Sequence, residues 1–275
     1  MKGRVLVVLA VLALAATSCS KNLVTGPDAT HAVLKGGAIA IGGVAPTTDG
    51  DIGSALSSEE AIVLPDAKPR GHSYGEWQAR WWQWAYSIPV AQHPLFDETG
   101  ANAAVGQRGS VWFLGGVFNV SGSASREITI PHGKALFFPI LNFEGDNLFP
   151  PINPPLDIKG LRALIGGIMD QAFGLACELD GVPIKHLSKF RGTSPVFSVD
   201  IPEGGIPTAF GIPTPAGHYG PMVDDGYYLY LKPLSKGTHH LHFTGSVPGF
   251  TLDINYTIHV RGGGKDHDDA GDDDN

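Results

Sequence analysis

The chain has 275 residues and a formal net charge of −8; 43% of its residues are hydrophobic and 17% are charged. This hydrophobic content excludes a wholly disordered protein. The negative charge argues against nucleic-acid binding, because no basic stripe is present to replace the counterions of a phosphate backbone. The 37 glycines and 21 prolines disfavour a helical bundle and favour strands joined by many turns.

The first residues predict export. Lys2 and Arg4 precede an unbroken apolar run over residues 5–16. This run is shorter than the roughly 20 residues that a membrane-spanning helix needs. Small residues follow the run, as signal-peptide cleavage requires. We therefore interpret residues 1–18 as a signal peptide.

A lipid anchor is predicted at the cleavage point. The segment Ala16-Thr17-Ser18-Cys19 resembles a bacterial lipobox, although leucine is more usual where Ala16 stands. Cys19 would then be the lipid-modified first residue of the mature chain and would attach the protein to a membrane. Ordinary cleavage falls at the same bond, so an unlipidated secreted protein is the alternative. Ser20 resembles the second residue of lipoproteins sent to an outer membrane. We expect an outer-membrane or cell-surface lipoprotein, or otherwise a periplasmic or extracellular protein.

The body of the protein is predicted between two irregular ends. Residues 19–68 are punctuated by glycine, proline and short polar residues, and we interpret them as a flexible tether. Residues 262–275 contain six aspartates and one lysine, a composition typical of a solvated, disordered tail. One folded domain is therefore expected over residues 69–261. The second cysteine, Cys177, lies in an apolar stretch and is expected to be a buried, unpaired thiol.

The clearest predicted helix covers residues 73–88. It opens with a capping box, in which Ser73 and Glu76 satisfy each other's backbone N–H groups. An apolar stripe at spacings of three and four follows, formed by Tyr74, Trp77, Trp81, Trp84 and Ile88. We interpret the stripe as the face that packs on a sheet. Trp82 and Tyr86 lie off the stripe, so we name them as candidate ligand-binding residues in a cleft.

Strands dominate the chain from residue 110 onward. Apolar or alternating runs predict strands over 111–118, 126–130, 135–141, 195–201, 227–232, 239–243 and 250–260. The 135–141 run is apolar throughout, as in a strand buried on both faces. The 250–260 run alternates strictly, so one face should lie in a core and the other in water. The pair Asp180-Gly181 predicts a hairpin turn.

A second helix is predicted over 158–173, since apolar residues recur there with helical spacing. Together these elements predict a mainly β fold, an antiparallel β-sandwich of immunoglobulin-like or jelly-roll-like type with one or two packed helices. Residues 203–226, rich in glycine and proline, are expected to form a long loop that carries His218, another candidate ligand-binding residue. Asp224-Asp225-Gly226 is interpreted as a turn into the next strand.

Several segments together resemble a family of uncharacterised exported bacterial proteins. They are Tyr74-Gly75-Glu76-Trp77, Trp81-Trp82-Gln83-Trp84, Ile130-Pro131, Gly133-Lys134, Phe137-Phe138-Pro139-Ile140, Asp225-Gly226-Tyr227-Tyr228, Leu231-Lys232-Pro233-Leu234, Gly237 and His239. The resemblance covers about residues 70–260 and implies a single domain and export. It carries no catalytic residue across. The final segment alone is also similar to the closing strands of immunoglobulin-like domains.

Two sets of side chains are candidates for a metal. His240 and His242 share one face of a predicted strand, so both could bind zinc if a third ligand arrived. Glu144 and Asp146 follow a buried strand, and their oxygens in a loop would suit calcium. In each case the alternative is ordinary polar surface, a solvated sheet face for the histidines and a plain polar loop for the acids. The sequence requires no cofactor.

No nucleophile, zinc-protease, phosphate-loop or dinucleotide motif occurs in the sequence. We therefore favour a non-catalytic binding or structural module of the cell envelope, with a carbohydrate or another envelope protein as candidate partner. The alternative is an exported hydrolase, metal-dependent or carboxylate-based, that acts on an envelope or extracellular polymer. That reading draws on the 11 histidines and on the expected long loop. An enzyme would bring titratable groups together in a cleft, whereas a binding module would present Trp82 or Tyr86 to its ligand.

Overall fold

The computed structural model describes residues 61–119, 121–149 and 151–262. The predicted signal peptide, the lipidation site Cys19, nearly all of the tether and the acidic tail after Gly262 lie outside the described residues. In the described part of the chain, no helix has both the length and the apolar character needed to cross a membrane.

Strands make up most of the regular structure. In chain order they are β1 (Ile62–Val63), β2 (Val111–Phe113), β3 (Ser123–Pro131), β4 (Ala135–Gly145), β5 (Phe173–Leu179), β6 (Val182–Pro183), β7 (Arg191–Thr193), β8 (Phe197–Ile201), β9 (Gly217–Leu231), β10 (Gly237–Val247) and β11 (Phe250–Arg261). The α-helices are α1 (Tyr74–Tyr86), α2 (Ile158–Met169) and α3 (Ile206–Ala209). The prediction of a mainly β fold with a few helices is confirmed.

The strands form two sheets. The first has the order β1-β9-β4-β2, with β7 and β8 also paired to β9, and the second has the order β3-β11-β10-β5-β6. Most neighbours are antiparallel, but β2 runs parallel to β4 and β3 runs parallel to β11. The sheets are therefore mixed rather than antiparallel throughout. The chain leaves β3 for β4 in the other sheet, so no hairpin sets the pairing of β3, and its partner comes from much later in the chain.

Strand β4 is buried on both faces, as its apolar sequence predicts. On one face, Phe138 stacks against Phe243 of the second sheet with ring centroids 5.3 Å apart. On the other face, Phe137 lies 6.1 Å from the ring of Trp77 in α1. The domain is consequently a sandwich with α1 packed on the outer face of the first sheet. Strand β11 alternates between buried and exposed residues along its length, which confirms the period-two prediction.

Helix α1 begins with the predicted capping box. The Ser73 hydroxyl accepts a hydrogen bond from the Glu76 N–H at 3.2 Å, and the Glu76 carboxylate accepts one from the Ser73 N–H at 2.7 Å. The aromatic stripe is buried, and its indole groups are bonded as well; Trp81 Nε1, for example, donates to the Leu114 carbonyl at 2.7 Å. The interpretation of the stripe as a packing face is confirmed.

Some boundaries differ from the prediction. Helix α2 ends at Met169, before the predicted end at residue 173, and Phe173 is already the first residue of β5. Most of the expected loop over 203–226 is ordered as α3 and the first half of β9, which pairs with β8. The backbone hydrogen bonds that β9 forms with β8 outweigh the preference of the glycine and proline residues in this segment for turns. At the other end, β1 pairs with β9, so the folded part begins inside the predicted tether.

The Asp180-Gly181 hairpin is confirmed. It joins β5 to β6, and both residues have left-handed backbone angles, with φ values of 53° and 75°. That geometry is the one a two-residue hairpin turn needs. Cys177, in β5, is buried, as predicted, and it forms no disulfide with any residue that the structure describes.

Candidate functional site

A cavity of about 180 Å³ lies beside the C-terminal half of α1, between the end of β4 and the start of β11. Its wall is mainly apolar and includes Val117, Phe118, Phe149, Phe210, Phe250 and Leu252. Its polar groups come from Asn142 and Glu144 of β4 and from Tyr86 of α1. An apolar cavity of roughly 150 Å³ is large enough for a benzene ring. The cavity is therefore of the size that holds one small ring.

Helix α1 contributes the two aromatic residues that the sequence singled out. Trp82 and Tyr86 are four positions apart, so they stand on the same side of the helix, and their ring centroids are 5.7 Å apart. Both line the cavity, and both are otherwise buried. The structure thus places these two candidates together in a cleft wall, rather than on an open aromatic surface.

Glu144 supplies the acidic group of the cavity. Its Oε1 accepts a hydrogen bond from the Tyr86 hydroxyl at 2.9 Å, whereas its Oε2 is buried without a hydrogen-bond partner. Burial raises the pKa of Glu144 well above its usual value, and the nearby carboxyl of Asp146 raises it further. The raised pKa favours the protonated form of Glu144, and a protonated carboxyl can donate a hydrogen bond as well as accept one.

A second carboxyl, that of Asp224, lies directly across the strand pair from Glu144 in the β4–β9 register. Asp224 is completely buried. Its Oδ1 accepts hydrogen bonds from Trp82 Nε1 at 2.7 Å and from the Tyr228 hydroxyl at 3.1 Å, while its Oδ2 has no partner. Burial raises the pKa of Asp224 to about 8.

Asn142 completes this chain of polar groups. Its side-chain amide donates to the Tyr228 hydroxyl at 2.7 Å, so the hydrogen bonds run from the cavity wall through Tyr228 to Asp224. The next residue, Asp225, is paired instead with Arg191, whose Nη2 lies 2.9 Å from its Oδ2. Arg191 also bonds Asp170 and is therefore already engaged.

Asp146 adds a third acid next to the cavity. It follows β4 immediately, and its Oδ1 accepts hydrogen bonds from the backbone N–H groups of Leu148 and Phe149, which fold the chain into a tight turn. Burial raises its pKa as well. Within the described ranges, no lysine, arginine or histidine forms an ion pair with Glu144, Asp146 or Asp224. Among these residues, no paired cation therefore offsets the rise in the pKa of these carboxyls that burial causes.

His218 is not part of this arrangement. It lies near the start of β9, is exposed, and its Nδ1 is 2.8 Å from Asp200 Oδ1 on the adjacent strand β8. It does not contribute to the cavity wall. The expectation that placed it in a long binding loop fails because this segment is strand.

The candidate metal ligands are also kept apart. His240 and His242 lie on β10 in the second sheet, on its outer face, and His242 Nε2 is 2.9 Å from Asp253 Oδ1. Glu144 belongs to the first sheet and lies within a strand, not in the polar loop expected for calcium. Across the residues that the structure describes, no group of three His, Cys, Asp or Glu side chains is arranged to hold a metal ion.

The sequence reading missed Asp224, because its segment was interpreted as a turn. A signal was nevertheless present. Counting back in steps of two from Tyr228 along its strand gives Gly226 and Asp224, so both share the face of Tyr228. Extending the strand by those residues would have placed Asp224 beside the helix.

The arrangement can enclose a small ring and offer it a protonated carboxyl, an amide and a phenol hydroxyl. Such a mostly apolar cavity with a few converging polar groups is typical of a small-molecule site. Comparison of the chain with protein-family models, with curated proteins and with solved structures gives no match.

Proposed function

We propose that this is an exported, lipid-anchored protein of the cell envelope that binds a small, mostly apolar molecule in the cavity beside α1. The observation that carries the proposal is the cavity of about 180 Å³, walled by aromatic side chains and ending on Asn142 and Glu144. Export and anchoring rest on the N-terminal sequence, with Cys19 as the lipidated residue.

The wall indicates what the ligand looks like. Aromatic and aliphatic side chains favour a single apolar ring, and the volume leaves room for few atoms beyond it. Asn142 and Glu144 line the cavity, so a hydrogen-bonding group on the ligand would find polar partners there. A ring that carries one hydroxyl or carbonyl group meets both conditions.

The experiment is a calorimetric titration with phenol, cyclohexanol and benzene as probes. We expect phenol and cyclohexanol to bind more tightly than benzene, because only they bond with Glu144. Replacing Ile212 in the cavity wall by tryptophan should fill the space and abolish binding. Val196→Trp adds the same side chain at an exposed position away from the cavity and serves as the matched control.

Equal binding by Ile212→Trp and Val196→Trp would show that the probes bind elsewhere and would overturn the proposal. Failure of all three probes at millimolar concentration would do the same. Circular dichroism of each variant before titration separates loss of binding from loss of fold.

A second candidate function is hydrolysis of an envelope or extracellular polymer, with Glu144 as general acid. The raised pKa of Glu144 favours it, since a general acid must hold its proton near the working pH. Asp224 lies across the strand pair from Glu144, but it is fully buried behind Trp82 and does not line the cavity. The binding function is therefore preferred. Reducing-sugar release from cell-wall polysaccharide, lost in Glu144→Gln, would reverse that preference.

The anchoring proposal has its own test. Cys19→Ala removes the only thiol that the lipobox-like segment offers, so the protein should move from the membrane fraction to the soluble fraction. Cys177→Ala is the matched control and should leave the distribution unchanged, because that thiol is buried in β5. A Cys19→Ala protein that stays with the membrane would contradict a lipid anchor.

A further inference from the structure

A second and larger cleft lies on the other side of α1. Its volume is about 690 Å³, and Trp77, Arg80 and Trp84 of α1 form part of its wall. The opposite wall comes from the segment that precedes β2 and includes Arg108. No residue lines both this cleft and the cavity that contains Glu144. The two sites are therefore separate, with the helix between them.

The cleft is strongly basic. Arg70, Arg80 and Arg108 all line it and all have exposed side chains, and His72 lies beside them. No aspartate or glutamate is part of its wall. In the described residues, none of the three arginines forms an ion pair with a carboxylate. This local excess of positive charge stands out in a chain whose net charge is −8.

The nearest acid is already engaged. Glu76 lies 4.0 Å from His72, but its carboxylate accepts hydrogen bonds from both the backbone N–H and the hydroxyl of Ser73 at the start of α1. Arg80 is held over the ring of Trp77, with its Cζ atom 5.5 Å from the ring centroid. Such stacking restricts the side chain while leaving its N–H groups free to bond a ligand.

From this charge and shape we infer that the cleft is a binding site for a multiply charged oxyanion, an organic molecule that carries phosphate or several carboxylate groups. Guanidinium groups bond such oxygens in pairs, and three of them in one cleft suit a ligand with more than one negative group. The volume falls within the usual range for small-molecule sites, roughly 300–1,000 Å³. It is larger than an isolated inorganic ion needs.

The chain itself contains a segment rich in carboxylate groups, which could bind to the three arginines in place of an external anion. Residues 263–275 contain six aspartates. They lie outside the described residues, and they offer the same carboxylate chemistry as an external anion. The experiment must therefore separate the two.

Calorimetric titration of the full chain with pyrophosphate and with citrate tests the inference. We expect saturable binding that weakens as sodium chloride is added, because charges at an open cleft are screened by salt. Each of Arg70→Gln, Arg80→Gln and Arg108→Gln should weaken binding about tenfold, the usual effect of losing a charge-assisted hydrogen bond. Lys185→Gln removes a positive charge from an exposed position outside the cleft and should change nothing.

A parallel protein with all six tail aspartates changed to asparagine identifies the source. Unchanged affinity in that protein supports an external ligand. A different result is that binding appears or tightens only in the asparagine protein and still depends on the three arginines. That result supports the same site, with the chain's own carboxylates as the competing ligand. No binding by either protein at several millimolar, or arginine variants that bind as tightly as the parent, would overturn the inference. Loss of this site leaves the ring-binding cavity untouched, so the two proposals fail independently.

Discussion

The indole Nε1 of Trp82 donates a hydrogen bond across 2.7 Å to Oδ1 of Asp224, a residue 142 positions further along the chain. This bond joins α1 to β9 in the interior, where Asp224 has no access to solvent. It also holds the indole of Trp82 in the wall of the small cavity. The side chain of Trp82 therefore both lines the small cavity and stabilises the contact between α1 and β9.

Removing the indole donor should destabilise the fold. Trp82→Phe keeps an aromatic ring but leaves Oδ1 of Asp224 with the Tyr228 hydroxyl alone, so we expect a loss of about 1–3 kcal/mol in the free energy of unfolding. Urea denaturation followed by circular dichroism measures it. Trp84→Phe is the control and should cost less, because its Nε1 makes a longer, partly exposed bond of 3.2 Å to Val105. Equal losses in the two variants would contradict a special role for the Asp224 contact.

Stability should fall as the pH rises from about 4 to about 8. Burial raises the pKa of Asp224 from 3.8 to about 8, so within this window the folded chain holds a proton that the unfolded chain has released. For one such group, the free energy of unfolding declines by at most about 1.4 kcal/mol per pH unit. Glu144 and Asp146 act in the same direction, because burial raises their pKa values too.

The measurement is the melting temperature at a series of pH values. Asp224→Asn has no proton to lose, so its profile should be flatter than that of the parent over the same window. Asp200→Asn is the control, since this carboxyl is exposed on β8. If the melting temperature of Asp224→Asn fell as steeply with pH as that of the parent, other titrating groups would be responsible for the pH dependence.

A buried amide limits the stability of the helix–sheet contact. Gln78 of α1 is completely buried, and neither its Oε1 nor its Nε2 has a hydrogen-bond partner. Gln78→Met has a similar shape and no unmet polar group, so we expect a gain of about 1–2 kcal/mol in the free energy of unfolding. The urea midpoint reports it. Gln83→Met should bring no gain, because Gln83 already donates to the Ser198 carbonyl at 3.1 Å.

Arg126 is a buried cation whose bonds go to neutral partners. It donates to the carbonyls of Asp97, Gly115 and Gly116 at 2.7–2.9 Å and to the hydroxyl of Tyr256 at 2.6 Å. Arg126→Lys cannot reach all four acceptors, so it should cost at least about 3 kcal/mol.

The control is Arg108→Lys, an exposed position where the same substitution should change stability by less than about 0.5 kcal/mol. Both variants are compared by urea denaturation. A small effect at Arg126 would mean that water or another side chain replaces its bonds.

Local patterns in the sequence were enough to predict much of this fold. The capping box at Ser73, the aromatic stripe of α1, the buried strand β4 and the alternation of β11 all follow from periodicity and side-chain type. Each depends on residues close together in the chain. Sequence periodicity also separated Trp82 and Tyr86 from the stripe.

The remainder depended on contacts between distant segments. Alternation predicted a strand over 126–130, but nothing local indicated that Arg126 would be buried against the carbonyls of Gly115 and Gly116. The proximity of Glu144 and Asp224 was likewise hidden, since the two carboxyls come together only through the register of β4 and β9. Residues 217–226 looked like a loop because glycine and proline interrupt a strand that β8 nevertheless pairs with.

The position of α1 between two cavities has a spectroscopic consequence. Trp82 faces one cavity, whereas Trp77 and Trp84 face the other. Indole emission should therefore report on the arginine-lined cleft through Trp77 and Trp84, and on the ring-sized cavity through Trp82.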